Sequence, residues 1–353
     1  MNVDLVRSPA TAAGAAFANE PSRLGPMGYL ACFRGIVWRE VLRFLHQRER
    51  FFSALVRPLV WLFIFAAGFR QTLGVSIIPP YETYVLYEVY VVPGLLGMIL
   101  LFNAMQSSLS MVYDRETGAM RTLLVSPFPR SFLLVSKLIG GVAVAAIQAY
   151  VFLAIFYFWE AELSGWGYPL LLAAPAALFA LNIYNSATDH LSERFLQNAL
   201  VFGLLVELAV IAYVIYAWKL SPPSMNYIAV APALVISGLM LGSLALFMSS
   251  VIKQLENFAG VMNFVIFPMF FASSALYPLW RVKEGGLALW YACQINPFTH
   301  AVELIRFALY GQVDWPSLAI VLACTAVFLG AAIFAYNPSK GLIARRGGPG
   351  SGA

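Results

Sequence analysis

The sequence predicts an all-α membrane protein, a polytopic bundle of helices. Of its 353 residues, 61% are hydrophobic and only 11% are charged, whereas soluble domains carry about 25% charged and about 45–50% apolar residues. Apolar segments of about 20 residues, enough for a helix to cross ~30 Å of hydrocarbon, recur along the whole chain. They lack the alternation of a β-barrel, and a helix satisfies its own backbone groups in lipid. A bilayer is therefore the expected environment.

Charge and motif content exclude several other classes. The formal net charge of +5 does not indicate nucleic-acid binding, because the arginines lie at the ends of apolar segments, where they orient a membrane protein. The three cysteines are too few and too scattered for a disulfide framework or a zinc site. The sequence holds no G-x-x-x-x-G-K-[ST] loop. We therefore expect no metal, no cofactor and no catalytic residue in this chain.

The N-terminal part is predicted to be a tail followed by a helix at the membrane surface. Residues 1–28 are rich in Ala, Pro and Gly without the apolar core of a signal peptide, so a disordered tail is expected. Residues 29–50 should form an amphipathic helix, with an apolar stripe opposite basic residues. That pattern is typical of a helix in the membrane interface, and an ordinary soluble helix is the alternative. The stripe comprises Leu30, Phe33, Val37, Val41 and Phe44, flanked by Trp38 and Leu45.

Apolar runs bounded by polar residues predict the spans. They lie at residues 53–69, 83–113, 132–159, 228–252, 258–276 and 316–336. Pro93 and Pro268 should kink two of them, because proline removes a helix hydrogen bond. Gln148 is predicted to be a polar residue in the interior of the third span.

A short polar segment separates the second and third spans. Asp114, Arg115 and Glu116 end the second span, and residues 116–125 are long enough for a brief helix against the membrane. Met120, Leu123 and Leu124 would share one side of that helix. Such a helix at a cytoplasmic turn is a place where a soluble partner can act on the spans.

The string DRETGAMRTLLVSPFPRSFLLVSKLIGG, preceded by VVPGLLGMILLFNAM, resembles the permease subunit of a type-2 ABC exporter. In that family the first cytoplasmic turn is the coupling helix, which docks on a separate ATPase subunit. The resemblance implies a homodimer of permeases with two ATPase copies, which bind the ATP and Mg²⁺. It assigns ATPase coupling to Asp114, Arg115, Glu116, Gly118 and Arg121.

The resemblance also implies an outer gate. FPMFFASSALYPLW and INPFTHAVELIRFALYG are similar to the outer re-entrant helices of the family, which close the external end of the pathway. Glu303 and Arg306 are three residues apart on a predicted helix, so they can pair. The pair either touches a polar substrate headgroup or fastens a short helix. The predicted gate residues are Ser273, Ser274, Asn296, Pro297, Glu303 and Arg306.

Residues 176–230 depart from the six-span family pattern and are predicted to be an insertion. Segments 168–178 and 227–234 resemble two starts of the same helix, with two apolar runs and the polar turn NSATDHLSER between them. A hairpin that crosses twice gives eight spans and leaves both termini and most basic residues in the cytoplasm, as the positive-inside rule requires. A re-entrant or surface-lying insertion is the alternative.

Glu207 lies near the middle of an apolar run within this insertion. A carboxylate there costs a few kcal/mol on insertion scales and is by default a functional candidate. The alternative is a protonated Glu that is hydrogen-bonded to a neighbouring helix.

Together these features predict the permease of an ATP-driven exporter in the bacterial inner membrane. Its transmembrane domain covers residues 29–338, and residues 339–353 form a flexible tail. Substrates across the family include drugs, lipid-linked glycans and polysaccharides. The alternatives are an ion-coupled carrier, which requires polar residues at the midplane of several spans, and a membrane-embedded enzyme acting on lipid or glycan.

Overall fold

The computed structural model describes residues 25–46, 56–64, 68, 79–81, 84–116, 128–161, 163, 165–188, 192–252 and 254–335. Within these ranges, residues 56–64 are helical. The same ranges contain eleven further helices, numbered in chain order, and the first of them precedes residues 56–64. They are α1 Pro26–His46, α2 Tyr87–Glu116, α3 Arg130–Glu160, α4 Gly167–Thr188, α5 Glu193–Ala217, α6 Val230–Val251, α7 Leu255–Phe271, α8 Leu279–Gly285, α9 Leu287–Ile295, α10 Pro297–Leu309 and α11 Trp315–Ala335.

Several of these helices are long and apolar enough to cross a membrane, which confirms the all-α, multi-pass prediction. The five candidate spans of the described chain are Tyr87–Tyr113, Ser131–Glu160, Gly167–Asn185, Val230–Val251 and Trp315–Ala335. Val201–Ala217 and Leu255–Phe271 are shorter apolar helices. Seven of the 17 residues of the predicted first span, 53–69, lie outside the described residues, so the total of eight spans stays a prediction.

Helix α6 forms the centre of the bundle and packs against α2, α3, α10 and α11. Its small residues allow this close approach. A side chain at Gly238 would meet Val142 of α3 at 3.0 Å, and one at Gly242 would clash with Leu138 of α3. The neighbouring Ser237 is fully buried. The glycines at positions 238 and 242 of α6 therefore allow the central helices to pack closely.

Helix α1 lies along α3, and Tyr29 packs edge-on against Phe132 with 5.1 Å between the ring centroids. A helix is present where the sequence predicts one, and its placement in the membrane interface stays a prediction. Leu30 is 61% exposed, whereas Glu40 is buried because its side chain covers Gly140. A carboxylate can lie in the contact face because α3 has a glycine at the facing position. The sequence of α1 alone does not show this.

Helices α4 and α5 form a hairpin that projects from the bundle. Helix α4 runs unbroken past Pro175, so the predicted insertion boundary at Ala176 falls inside this helix. The Ser192 side chain caps α5 by accepting a hydrogen bond from the Phe195 amide at 3.3 Å. At its base the hairpin closes on a small cluster of buried residues, Leu163, Leu171 and Val214.

Candidate functional sites at the two ends of the bundle

Contacts between the helices distinguish two ends of the bundle. At one end, Tyr90 near the start of α2 lies beside the 272–277 loop and the second half of α10. At the other end, Glu116 closes α2 beside the start of α7. We call these the Tyr90 end and the Glu116 end. Both residues lie on the continuous helix α2, about 39 Å apart along its axis.

The Tyr90 end is organised around Arg306, which is only 4% exposed. Its guanidinium donates to Glu303 Oε1 at 2.7 Å and to the Ser274 carbonyl at 2.8 Å. It also lies over the Tyr90 ring, 4.2 Å from the centroid, and the Tyr90 hydroxyl donates to the same carbonyl at 3.1 Å. The predicted Glu303–Arg306 pair is confirmed. Its arginine ties α10 to α2 and to the 272–277 loop.

Asn296 joins the end of α7 to the start of α10. Its side-chain amide donates to the carbonyls of Met269 and Ala272 at 2.7 and 2.6 Å. Its Oδ1 accepts from the Phe298 amide at 3.0 Å, and Pro297 occupies the first turn, where a missing N–H is harmless. One side chain therefore satisfies backbone groups at two helix ends that have no partners within their own helices.

The 272–277 loop lies directly on α2. A Cβ at Gly94 would come within 2.5 Å of the Ala275 carbonyl oxygen, so only glycine fits there. Ser273 Oγ donates to the Phe270 carbonyl at 2.6 Å and accepts from the Ala275 amide at 3.2 Å. The structure thus brings the predicted gate residues together, with most of their polar groups bonded inside the protein. Such a cluster holds backbone segments in place and has no arrangement for covalent chemistry.

Helices α8, α9 and α10 have 7, 9 and 13 residues, too short to cross a bilayer. Phe298 and Val302 of α10 lie against Gly97 of α2, while Arg306 lies against Tyr90. Along α2, α10 therefore stays within about three turns of the Tyr90 end. These contacts place α10 at the Tyr90 end, and the re-entrant arrangement stays a prediction.

Tyrosines cover the Arg306 cluster, and sequence analysis did not single them out. Tyr87 and Tyr90 are buried, at 1% and 2% exposure. Tyr81 packs edge-on against Tyr310, with 5.1 Å between centroids. Burial raises the pKa of Tyr81 to about 12 although the charge of Arg306 opposes the shift, so this phenol is neutral near pH 7. The helical spacing of Tyr87 and Tyr90 was the available signal, since i and i+3 side chains share a helix face.

At the Glu116 end, Asp114, Arg115 and Glu116 belong to the last turn of α2. Glu116 Oε1 accepts a hydrogen bond of 2.8 Å from the amide of Leu255, the first residue of α7. A carboxylate there is favourable, because the first amides of a helix lack partners and carry partial positive charge. Gly118 and Arg121 lie outside the described residues. Sequence analysis did not identify Leu255 as the partner of Glu116.

Polar side chains also lie inside the bundle. Gln148 is completely buried in α3, as predicted, and its Oε1 accepts a hydrogen bond from Asn103 of α2. A crevice of about 40 Å³ nearby is bordered by Glu40 and Arg43 of α1. Its volume is enough for one or two waters and far below that of a substrate pocket.

Glu207 lies on α5, one turn beyond Gly203, whose missing side chain allows close contact with Leu178 of α4. Its Oε2 is buried and has no hydrogen-bond partner in the part of the chain that the structure describes. The structure therefore does not bring Glu207 together with the residues of either end.

Both ends and the apolar helices between them define a multi-pass membrane protein. A model of the ABC-2 type transporter family matches residues 32–188 and 178–310, which is more than half of the chain. The chain therefore belongs to the ABC-2 type transporter family and is a permease, the membrane component of an ABC transporter. This family implies an ABC ATPase partner.

Individual relatives carry consistent names. The putative transport permease ycf38 of Pyropia yezoensis is 21% identical over 286 residues, 80% of this chain and 75% of that protein. The probable multidrug ABC transporter permease YbhR of Escherichia coli K12 is 35% identical over 94 residues, 26% of this chain and 23% of that protein. The ycf38 protein of Cyanophora paradoxa is 27% identical over 107 residues, 30% of this chain and 34% of that protein. All three names describe transport components.

Proposed function

We propose that this permease belongs to an ATP-driven exporter, in which ATP hydrolysis by the separate ATPase moves a substrate outward through the membrane. The observation that carries the proposal is the hydrogen bond between Glu116 and the Leu255 amide. It fastens the last turn of α2 to the first turn of α7, next to the segment proposed to dock on the ATPase. A displacement of that segment would therefore move both helices together.

Both helices run from the Glu116 end to the residues around Arg306 and Asn296. Helix α2 carries Tyr90, which contacts Arg306. The end of α7 carries the Met269 and Ala272 carbonyls, which accept hydrogen bonds from the Asn296 side chain. The two helices also pack against each other. In the proposed cycle, closure of the ATPases shifts α2 and α7 as a pair, and the contacts of Arg306 and Asn296 carry that shift into α10 and open the pathway.

The remaining parts of the proposal concern the assembly and its cargo. The permease acts as a homodimer in the bacterial inner membrane, with both termini in the cytoplasm and two ATPase copies that bind ATP and Mg²⁺. The substrate is a drug, a lipid-linked compound or a polysaccharide. The name of the Escherichia coli relative, a probable multidrug ABC transporter permease, favours the first of these classes.

Charge reversal at Glu116 tests the coupling. Glu116→Lys removes the acceptor for the Leu255 amide and places a cation at a helix N-terminus, where it is unfavourable. We expect membrane insertion to be normal and ATP-driven transport to be lost, with ATP hydrolysis no longer dependent on the permease. Hydrolysis is measured on the reconstituted permease–ATPase complex, and insertion by extraction from membranes.

Two controls define the result. Glu116→Gln keeps an acceptor oxygen and should retain most of the activity, and Glu284→Lys reverses an exposed charge on α8 and should be neutral. Normal coupling in Glu116→Lys would refute the role of this residue. Isolation of the permease without any ATPase, together with substrate movement that needs no ATP, would refute the exporter and favour an ion-coupled carrier.

A further inference from the structure

A cavity of about 430 Å³ opens where the α4–α5 hairpin joins the bundle. Its walls are the last turn of α3 and the loop that follows α5. It lies at the Tyr90 end, because the Asn226 amide, two residues beyond the lining residue Ser224, donates to the carbonyl of Leu309 at the end of α10 at 2.6 Å. Its lining residues are Tyr157, Glu160, Ala161, Lys219, Leu220 and the 221–224 segment.

Two opposite charges border this cavity. Glu160 accepts hydrogen bonds from Ser224 Oγ at 3.0 and 3.2 Å, which position its carboxylate on the wall. Lys219 belongs to the cavity wall formed by the loop after α5. It takes part in none of the ion pairs of the described residues. Helices α3 and α5 both end here, at Glu160 and Ala217. Because helix C-termini carry partial negative charge, the Glu160 side favours a cation.

The backbone of Lys219 has an unusual conformation, with φ of 50°. This left-handed region is uncommon for residues other than Gly, Asn and Asp, and such strain concentrates at functional sites. The position terminates α5, where glycine is the ordinary choice. A glycine would form the same turn without strain and without an ammonium group beside the cavity.

The level of the cavity in the membrane follows from the aromatic residues around it. Tryptophan and tyrosine collect where the hydrocarbon meets the polar headgroups. Trp166 and Tyr216 at the base of the hairpin are 79% and 83% exposed, and the Tyr157 hydroxyl donates to the Ser221 carbonyl at 2.8 Å on the cavity wall. The cavity therefore lies at the depth of lipid headgroups.

We propose that this cavity binds the headgroup of a zwitterionic phospholipid of the ethanolamine type. The ammonium group lies beside Glu160, between the two helix C-termini, and the phosphodiester pairs with Lys219. The volume is within the range of about 300–1,000 Å³ that is usual for ligand pockets. Hydrogen bonds between ionised partners are the strong ones, so a ligand with one charge of each sign fits better than an anionic lipid.

Native mass spectrometry of the purified full-length chain tests the site. The protein is mixed with phosphatidylethanolamine or phosphatidylglycerol, and the lipid adducts are counted. We expect at least threefold more ethanolamine lipid than glycerol lipid on the wild type. Lys219→Asn, which tolerates the left-handed backbone, and Glu160→Gln, which keeps an acceptor for Ser224, should each reduce the ethanolamine adduct at least threefold. The matched control is Lys283→Asn on α8, which should leave it unchanged.

A second variant at Lys219 and a soluble competitor complete the experiment. Lys219→Gly replaces Lys219→Asn if the latter melts at a lower temperature than the wild type. Soluble glycerophosphoethanolamine that displaces the lipid shows that the headgroup alone is recognised, and failure to displace it shows that the membrane lipid is required; both support the site. Equal binding of the two lipids, or unchanged adducts in both cavity variants, overturns it. No arm uses ATP, so the outcome is independent of the exporter proposal.

Discussion

The α4–α5 hairpin and helix α2 are both apolar, yet they lie in opposite environments. In the Tyr87–Tyr113 segment of α2, 83% of the most apolar window is buried inside the protein, against 6% in the Gly167–Asn185 segment of α4. Their mean hydropathies are close, 1.7 and 1.4. Hydropathy therefore predicts which segments enter lipid and does not predict which of them form the core.

The difference between the two regions follows from packing chemistry. In lipid, apolar surface alone gives no drive for helices to associate, so small residues and polar contacts determine which helices pack. The bundle has backbone-to-backbone contact at Gly94 and a bonded arginine at Arg306. The hairpin has close glycine contacts at Gly167 and Gly203, both with leucine side chains, and a carboxylate oxygen of Glu207 without a partner among the described residues. Three sets of variants test this contrast.

The largest effect is expected at Arg306. Arg306→Leu leaves Glu303 and the Ser274 carbonyl without their donor, and breaking a buried ion pair costs about 3–5 kcal/mol. We expect a large fall in the melting temperature of the purified permease and loss of the contacts that join α10 to α2 and to the 272–277 loop. Arg281→Leu, on the exposed face of α8, is the matched control and should change the stability by less than about 0.5 kcal/mol. Equal melting temperatures for the two variants would contradict the central role of Arg306.

An intermediate effect is expected from a methyl group at the glycines. Gly94→Ala forces the side chain against the backbone of Ala275 and should destabilise by about 2 kcal/mol. Gly203→Ala meets only the Leu178 side chain, which can turn away, so about 1 kcal/mol is expected. Gly260→Ala meets nothing within 4 Å and should stabilise α7 by about 0.5 kcal/mol through helix propensity. Thermal melting in detergent gives the order, and a larger loss at Gly203 than at Gly94 would reverse the comparison.

The smallest effect is expected at the two intramembrane polar residues. Gln148→Leu removes the bond to Asn103, and interhelical hydrogen bonds in membranes are worth about 0.6 kcal/mol on average. Glu207→Leu removes a carboxylate that is costly in lipid, so the melting temperature should stay constant or rise. A pronounced loss of stability in Glu207→Leu would show that the hairpin depends on a partner for this carboxylate.

The spacing of residues along the sequence was sufficient to predict several features of the candidate sites. Glu303 and Arg306 pair because i and i+3 residues share a helix face, and Gln148 is buried as expected for a polar residue amid apolar ones. The bond between Glu116 and Leu255 joins residues 139 positions apart. No local pattern predicts it, because it depends on how α2 and α7 end beside each other. The burial of Glu40 is of the same kind, since it depends on a glycine of α3.

Composition, charge placement and local spacing were enough to predict a helical, membrane-embedded member of a permease family, because they set the solvent and the secondary structure of each segment. They did not predict that α6 is the centre, that Tyr87 and Tyr90 cover a buried arginine, or that the hairpin projects from the bundle. These outcomes depend on the fit between distant helices. In lipid that fit is set by a few glycines and hydrogen bonds and not by apolarity.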